Sequence, residues 1–312
     1  MKFCLVSEYL TSLKPSKEVK LVMKRLTFVV LTVLLVMIGS TGVAKALLLG
    51  TDWNLDPSGT SSLYSIDVTT GTATLIGSTG QIRMIGLVVD TDSTIYTISE
   101  EPASKLWTLN PTTGAATLVG SLGFNLQEGD MTINPITGQM YVANGAGDNL
   151  YTVDKATGAP TLVGSFGSLG RDVSGLQFIG STLYGLALTD NSPDVLLTVD
   201  PLTGVPTLIA ATGTNCGVIA ALGRDPVSGT TFMACPSTGF GNDNQLYSLN
   251  LTTGAATLVG PLTGMNFSAS GFSVAGEPSI LQPVPEPSSL LLLGSGLAGL
   301  GLWGRKRFKA NS

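Results

Sequence analysis

The chain contains no histidine, only three cysteines among 312 residues, and just 12% charged residues. Without imidazole there is no Ser-His-Asp or Cys-His activation of a nucleophile, and no zinc site that relies on histidine. Three thiols cannot complete a four-cysteine site, and no Cys-x-x-Cys spacing points to redox catalysis. Basic residues are scarce except at the two ends. Residues 1–46 hold seven Lys or Arg and residues 305–309 hold four, whereas residues 47–287 hold 19 acidic against five basic side chains, a net charge of −14. A surface of that sign repels phosphates, which excludes nucleic acid as a partner.

Long apolar runs are also few, one near each end. Met23-Lys24-Arg25 precedes an unbroken apolar or hydroxyl run over 26–38, and Ala44-Lys45-Ala46 follows it. A basic start, an apolar middle and a small-x-small end make a signal peptide, with cleavage by signal peptidase after Ala46. Residues 1–22 add no pattern of their own, so translation is expected to start at Met23, the alternative being a long basic leader. At the other end, Val284-Pro285-Glu286-Pro287 precedes a 14-residue apolar, Gly-rich stretch over 290–303, and the basic cluster Arg305-Lys306-Arg307 follows it. The stretch is short beside the roughly 20 residues of an ordinary spanning helix. Its glycines suit close helix–helix contact, and the basic cluster would stay cytoplasmic.

The order of these three parts resembles the PEP-CTERM sorting tail of Gram-negative bacteria. The resemblance covers residues 284–309, under a tenth of the chain. It implies recognition by an exosortase-type enzyme, passage through the inner membrane, and relocation to the cell surface or extracellular polymer. A permanent inner-membrane anchor is the alternative.

What the chain has in abundance is glycine, with 39 residues, together with a repeated unit. Leu63-Tyr64-Ser65-Ile66-Asp67, then Thr70-Gly71, then Ala73 to Gly77 recurs from Leu106, Leu150, Leu196 and Leu246, at spacings of 43, 44, 46 and 50 residues. That period fits a four-stranded propeller blade. The Leu-Tyr-x-Val-Asp segment alternates faces as a half-buried strand does. Its Asp or Asn caps a turn, and the glycine is expected to take the left-handed position of a type I turn with a G1 bulge. These two strands are C and D, the outer pair of each blade. Four inner pairs, A and B, lie in the intervals. Two strands remain without partners, at 47–51 and at 270–275. Pairing them completes a fifth blade from both ends of the chain.

The expected fold is therefore all-β: a five-bladed β-propeller over 47–277, closed by N- and C-terminal strands. An N-terminal extension and signal helix (1–46), a linker (278–289) and a short transmembrane helix with its basic tail (290–312) complete the chain. The rival architecture is an open solenoid or a pair of sandwiches. The units are similar to those of bacterial extracellular propeller proteins with Thr-Gly turns.

In a propeller the D–A and B–C loops share one face, and here the B–C loops vary while the C–D turns hardly do. That makes the loop face the place for a ligand. Trp53, Arg83, Glu128, Asp130, Arg171 and Asp172 are its candidate residues, with the Trp53 indole able to stack on a sugar. Glu128, Asp130 and Asp172 could alternatively form the acid and base or nucleophile of a glycoside hydrolase, or simply cap loops and pair with Arg83 and Arg171. Asp52, Asn54 and Asp56 alternate oxygen donors as a calcium loop does, but the glycine and distal glutamate of an EF-hand are missing. No other cofactor is expected. Once the leader is removed, Cys216 and Cys235 flank one A–B hairpin. In an oxidising compartment they are expected to form a disulfide, on a register that pairs Gly223 with Thr230. These features point to a non-catalytic, exported envelope or matrix protein, with an exopolysaccharide or a surface protein as its partner. An extracellular carbohydrate-active enzyme is the alternative.

Overall fold

The computed structural model describes residues 47–53, 59–100, 103–167, 172–188, 193–216, 220–225, 228–236, 244–265 and 272–276. The signal segment with Ala44 and Ala46, the Pro-Glu-Pro motif (Val284 to Pro287), the apolar tail and Arg305-Lys306-Arg307 lie outside these residues. So do Asn54, Asp56 and Arg171. Among the described residues, no helix is long and apolar enough to cross a membrane.

Among the described residues, twenty strands form five antiparallel four-stranded sheets. Blade one combines β20 (Phe272–Gly276), β1 (Leu47–Asp52), β2 (Ser62–Asp67) and β3 (Ala73–Ser78), in that order from the inside outward. The other four blades each use consecutive strands. Their innermost members are β4 (Met84–Val89), β8 (Gly129–Ile133), β12 (Asp172–Ile179) and β16 (Ala221–Arg224). Each inner strand touches the next, and β20 touches both β4 and β16, so the ring is closed. The two partnerless strands pair with one another, from Leu48 opposite Gly276 to Asp52 opposite Phe272. Closure leaves no inner edge open to another chain. The protein is a five-bladed β-propeller.

The repeat leucine of strand C explains why the blades cohere. Leu63, Leu106, Leu150, Leu196 and Leu246 are all completely buried. At roughly 2 kcal/mol for each fully buried leucine, this one position is a major term in ring stability. Five apolar clusters form the core, and each is shared by two neighbouring blades. Leu49 and Leu63 of blade one meet Leu87, Ile95 and Leu109 of blade two in one of them. Leu48 and Tyr64 of blade one meet Phe232 and Leu246 of blade five across the closing interface.

The C–D turns have the expected cap but a different shape. Asp67 Oδ1 accepts the Thr69 N–H at 2.9 Å, and Asn110, Asp154, Asp200 and Asn250 repeat this in the other blades. Asp67 N–H donates to Thr72 O, so four residues, not three, form the loop, and Gly71 ends it at φ 73°. The bulge is not at the turn. It falls midway along strand D, where Leu63 faces Gly77 and Tyr64 faces Leu75, which leaves Ile76 as the extra residue. The same irregularity recurs in all five blades.

The bulge brings a glycine against the next blade. A Cβ on Gly77 would stand 2.1 Å from the Thr113 carbonyl oxygen in the C–D turn of blade two. Gly120 stands the same way to Thr157, and Gly164 to Thr203. The Thr-Gly pair is thus both a turn and an inter-blade backbone contact. Ala116 N–H donates to Thr79 O across this interface, and Ala256 N–H to Thr212 O at another. Pro160 and Pro206 occupy the equivalent positions in blades three and four and have no N–H to give.

Candidate ligand face

The loop face is held together by one repeat position, the residue just before strand C. Ser61 Oγ accepts the N–H of Met84 at 3.1 Å, Ser104 Oγ that of Leu126 at 2.9 Å, and Asp194 Oδ2 that of Cys216 at 2.7 Å. The first bond ties a B–C loop to the start of β4, and the other two tie a B–C loop to a D–A loop. All three side chains are buried. The strand signal begins just after these residues, so the sequence pattern did not single them out.

Part of the predicted face converges on a residue that was not predicted, Glu100. It follows β5 (Ile95–Ser99), and its Oε1 accepts the Glu128 N–H at 3.2 Å. Burial raises its pKa above the ordinary glutamate value. The Glu128 N–H, the Arg83 guanidinium and the Trp53 indole act in the opposite direction. Trp53 comes from blade one, Arg83 and Glu100 from blade two, and Glu128 from blade three. The Glu128 N–H is the hydrogen bond that ties this carboxylate to a second blade, whereas the Trp53 indole N–H is buried without a hydrogen-bond partner among the described residues. Arg83 and Glu128 each precede an inner strand with φ near +50°, a conformation that ordinary side chains adopt at a cost. The carbonyls of Arg83 and Glu128 accept the N–H groups of Glu100 and Gly145, which hold them there.

Two expectations need correcting. Asp130 does not belong to an open face, being only 1% exposed within the ring. Oδ1 accepts the Met131 N–H at 2.8 Å and Oδ2 the Leu176 N–H at 2.9 Å. It therefore does not join Glu128 and Asp172 as one carboxylate set. Asp172 is half-buried at the start of β12, and its charge adds to burial in raising the pKa of Asp148. The second correction is the hairpin register beside Cys235. Asp225 N–H donates to Thr230 O, and Gly223 pairs with Phe232, not Thr230. The turn spans four residues between Asp225 and Thr230, two more than that register allowed, so residue 235 stands opposite 220. Cys216 is fully buried and disulfide-bonded. The Cys235 side chain lies outside the described residues.

Asp52 of the calcium-type motif is turned into its blade. Ser62 N–H donates to Oδ1, and the Tyr64 hydroxyl donates to Oδ2 at 3.2 Å. Burial pushes its pKa up to about 6. In blade two the Trp107 indole N–H donates to Ser99 Oγ at 3.1 Å, the same C-to-B contact. The recurring aromatics therefore belong to the blades, as their repeat position implied. Among the described residues no group of three His, Cys, Asp or Glu side chains is placed to hold a metal ion.

Residues 283–306 match the PEP-CTERM protein-sorting motif. The tail is a sorting signal. It implies export and membrane-anchored transit in a Gram-negative bacterium, with recognition by an exosortase-type enzyme. No curated protein matches the chain. Among solved structures, TolB from Acinetobacter baumannii is similar over 73% of this chain and 57% of its own, at 14% identity and a TM-score of 0.44. Hydrazine synthase of Kuenenia stuttgartiensis is similar over 56% of this chain and 47% of its own, also at 14% identity, with a TM-score of 0.40. The chain thus spans about half the length of these structures.

Proposed function

We propose that this PEP-CTERM propeller is a non-catalytic protein of the bacterial envelope or extracellular polymer matrix, binding a polysaccharide or a surface protein through its B–C and D–A loop face. The observation that carries the proposal is the pairing of a sorting tail with a closed ring whose structural turns are near-identical and whose loops on the other face differ. Trp53, Arg83, Glu100 and Glu128 offer that face an aromatic surface, a guanidinium and two carboxylates, a set suited to hydroxyl-rich ligands. Asp52 is engaged within blade one, so a calcium site at Asp52, Asn54 and Asp56 would require that side chain to turn. Signal peptidase would act after Ala46, and Cys235 is the proposed partner of Cys216.

The test is where the mature protein goes. Replacing Pro285, Glu286 and Pro287 with alanine in the native host should hold the protein in the inner-membrane fraction and strip it from the surface and medium. Unchanged distribution would overturn the sorted, surface role. Binding is tested separately by incubating the secreted form with isolated exopolysaccharide. A joint Trp53→Ala and Arg83→Ala variant should lose at least tenfold in retention if this face is the binding surface.

A further inference from the structure

The ring axis carries a feature that neither sorting nor ligand binding accounts for. Asp130 projects from the inner strand of blade three, and burial alone would drive its pKa well above the ordinary carboxylate value. Four backbone N–H groups oppose that effect: Leu176, Met131, Leu222 and Leu87. Met131 lies on β8 itself, whereas Leu87, Leu176 and Leu222 lie on β4, β12 and β16. Met131 and Leu176 hydrogen-bond to the carboxylate at 2.8 and 2.9 Å, so β8 and β12 each direct a main-chain donor at this side chain, and the N–H groups of Leu87 and Leu222 favour its charge from the inner strands β4 and β16. Every group that stabilises its charge is a donor, and no Lys or Arg is among them.

The residues at its level on the neighbouring strands are small. Asp130 stands opposite Ala143 in its blade, and the matching register positions in blades four and five are Gly175 and Ala221. In blade two a bulge inserts Gly86 at this level. Nearby, Thr132 Oγ1 accepts the Phe178 N–H at 3.0 Å and so adds a second side-chain link from blade three to blade four.

We propose that the axis of this propeller is an anion site built from backbone N–H groups of four blades, and that Asp130 is the built-in anion that fills it. The carboxylate closes the channel and ties together the four blades that the chain completes before its last strand, β20, joins blade one. A ligand then has no path along the axis and must be met on the loop face. Convergent main-chain N–H groups are a general means of holding an anion, here satisfied from within the chain.

The inference is tested by removing the side chain and returning the anion. In the full-length chain purified in detergent, Asp130→Gly should lower the melting midpoint by about 10 °C or more. Sodium formate at tens of millimolar should restore at least half of that loss in the variant. It should leave the parent unchanged, and formamide or sodium chloride at matched concentration should not substitute for it. If Asp130→Gly does not fold, the refolded yield with and without formate gives the same answer. The isosteric Asp130→Asn should also melt well below the parent, because its NH₂ faces donors. An Asp130→Asn protein as stable as the parent, or an Asp130→Gly protein indifferent to formate, would overturn the proposal.

Discussion

The two rims of the ring are built on opposite rules. On the rim of A–B and C–D turns, one solution is used five times: an Asp or Asn caps the turn, a left-handed glycine ends it, and the neighbouring blade packs against the result. On the rim of B–C and D–A loops, the five blades share a backbone bond to the residue that opens strand C and a left-handed glycine in the D–A loop, three of them add the buried staple at Ser61, Ser104 and Asp194, and around these the loops differ in length and chemistry. Repetition marks positions that every blade interface needs. Departure from the repeat marks positions free to take an individual role, as at Trp53, Arg83, Glu100 and Glu128.

Two glycines with the same backbone conformation provide the most direct way to break this contrast. Gly114, on the turn rim, has φ 75°, and a Cβ there would lie 2.3 Å from the Gly77 carbonyl oxygen. Gly123, on the loop rim, has φ 71° with nothing within 4 Å of a Cβ. Gly114→Ala should cost on the order of 4 kcal/mol, because strain and a backbone clash add together. Gly123→Ala should cost only about 1 kcal/mol, the conformational part alone. Chemical denaturation of both variants measures the difference, and equal losses would mean that turn geometry rather than blade contact is what the repeat protects.

The second test concerns a buried carboxylate that belongs to a blade rather than to a ligand. Burial raises the Asp52 pKa from 3.8 to about 6 in the folded protein. The folded state therefore holds its proton more tightly than the unfolded chain. The associated stability is fully present below about pH 4 and is lost as pH rises through about 6, by roughly 3 kcal/mol at 1.4 kcal/mol per unit. Asp52→Asn should flatten this part of the stability profile between pH 4 and 6.5. A profile that keeps its slope in the variant would assign the titration to another group, with Glu100, also raised by burial, the next to test.

Much of this architecture was legible in the chain itself, because a strand with period-two alternation and a buried leucine every 43 to 50 residues has few other folds available. Ring closure was legible by counting: two strands without partners could only satisfy their backbone groups together, and β1 and β20 do so. What could not be read were contacts made between repeats. The role of Gly77 depends on a carbonyl 36 positions away in the next blade, and the bulge that aims it has no local signature. Asp130 looked like a loop-face acid because alternation assigns faces within a sheet but does not say that the inner face of this strand is the ring axis. Glu100 was missed because it follows a strand, outside any motif.

The smallest expected effect tests whether the turn rim gains anything from individual chemistry. Lys155, in the C–D turn of blade three, forms an ion pair with Asp90 Oδ2 in the A–B turn of blade two. The hydrogen bond to Asp90 raises the Lys155 pKa. No other blade can repeat this pair, because the positions equivalent to Lys155 are Val68, Pro111, Pro201 and Leu251. The lysine side chain is 31% exposed, so solvent and salt screen the pair and it is expected to contribute little. Lys155→Met keeps the length and apolar stem of the side chain while removing the charge, and it should cost about 1 kcal/mol or less. That loss should shrink further when both proteins are compared in about 1 M NaCl. A cost several times larger and indifferent to salt would show that Asp90, nearly buried, depends on this lysine, and that the turn rim also contains a site-specific lock between blades two and three.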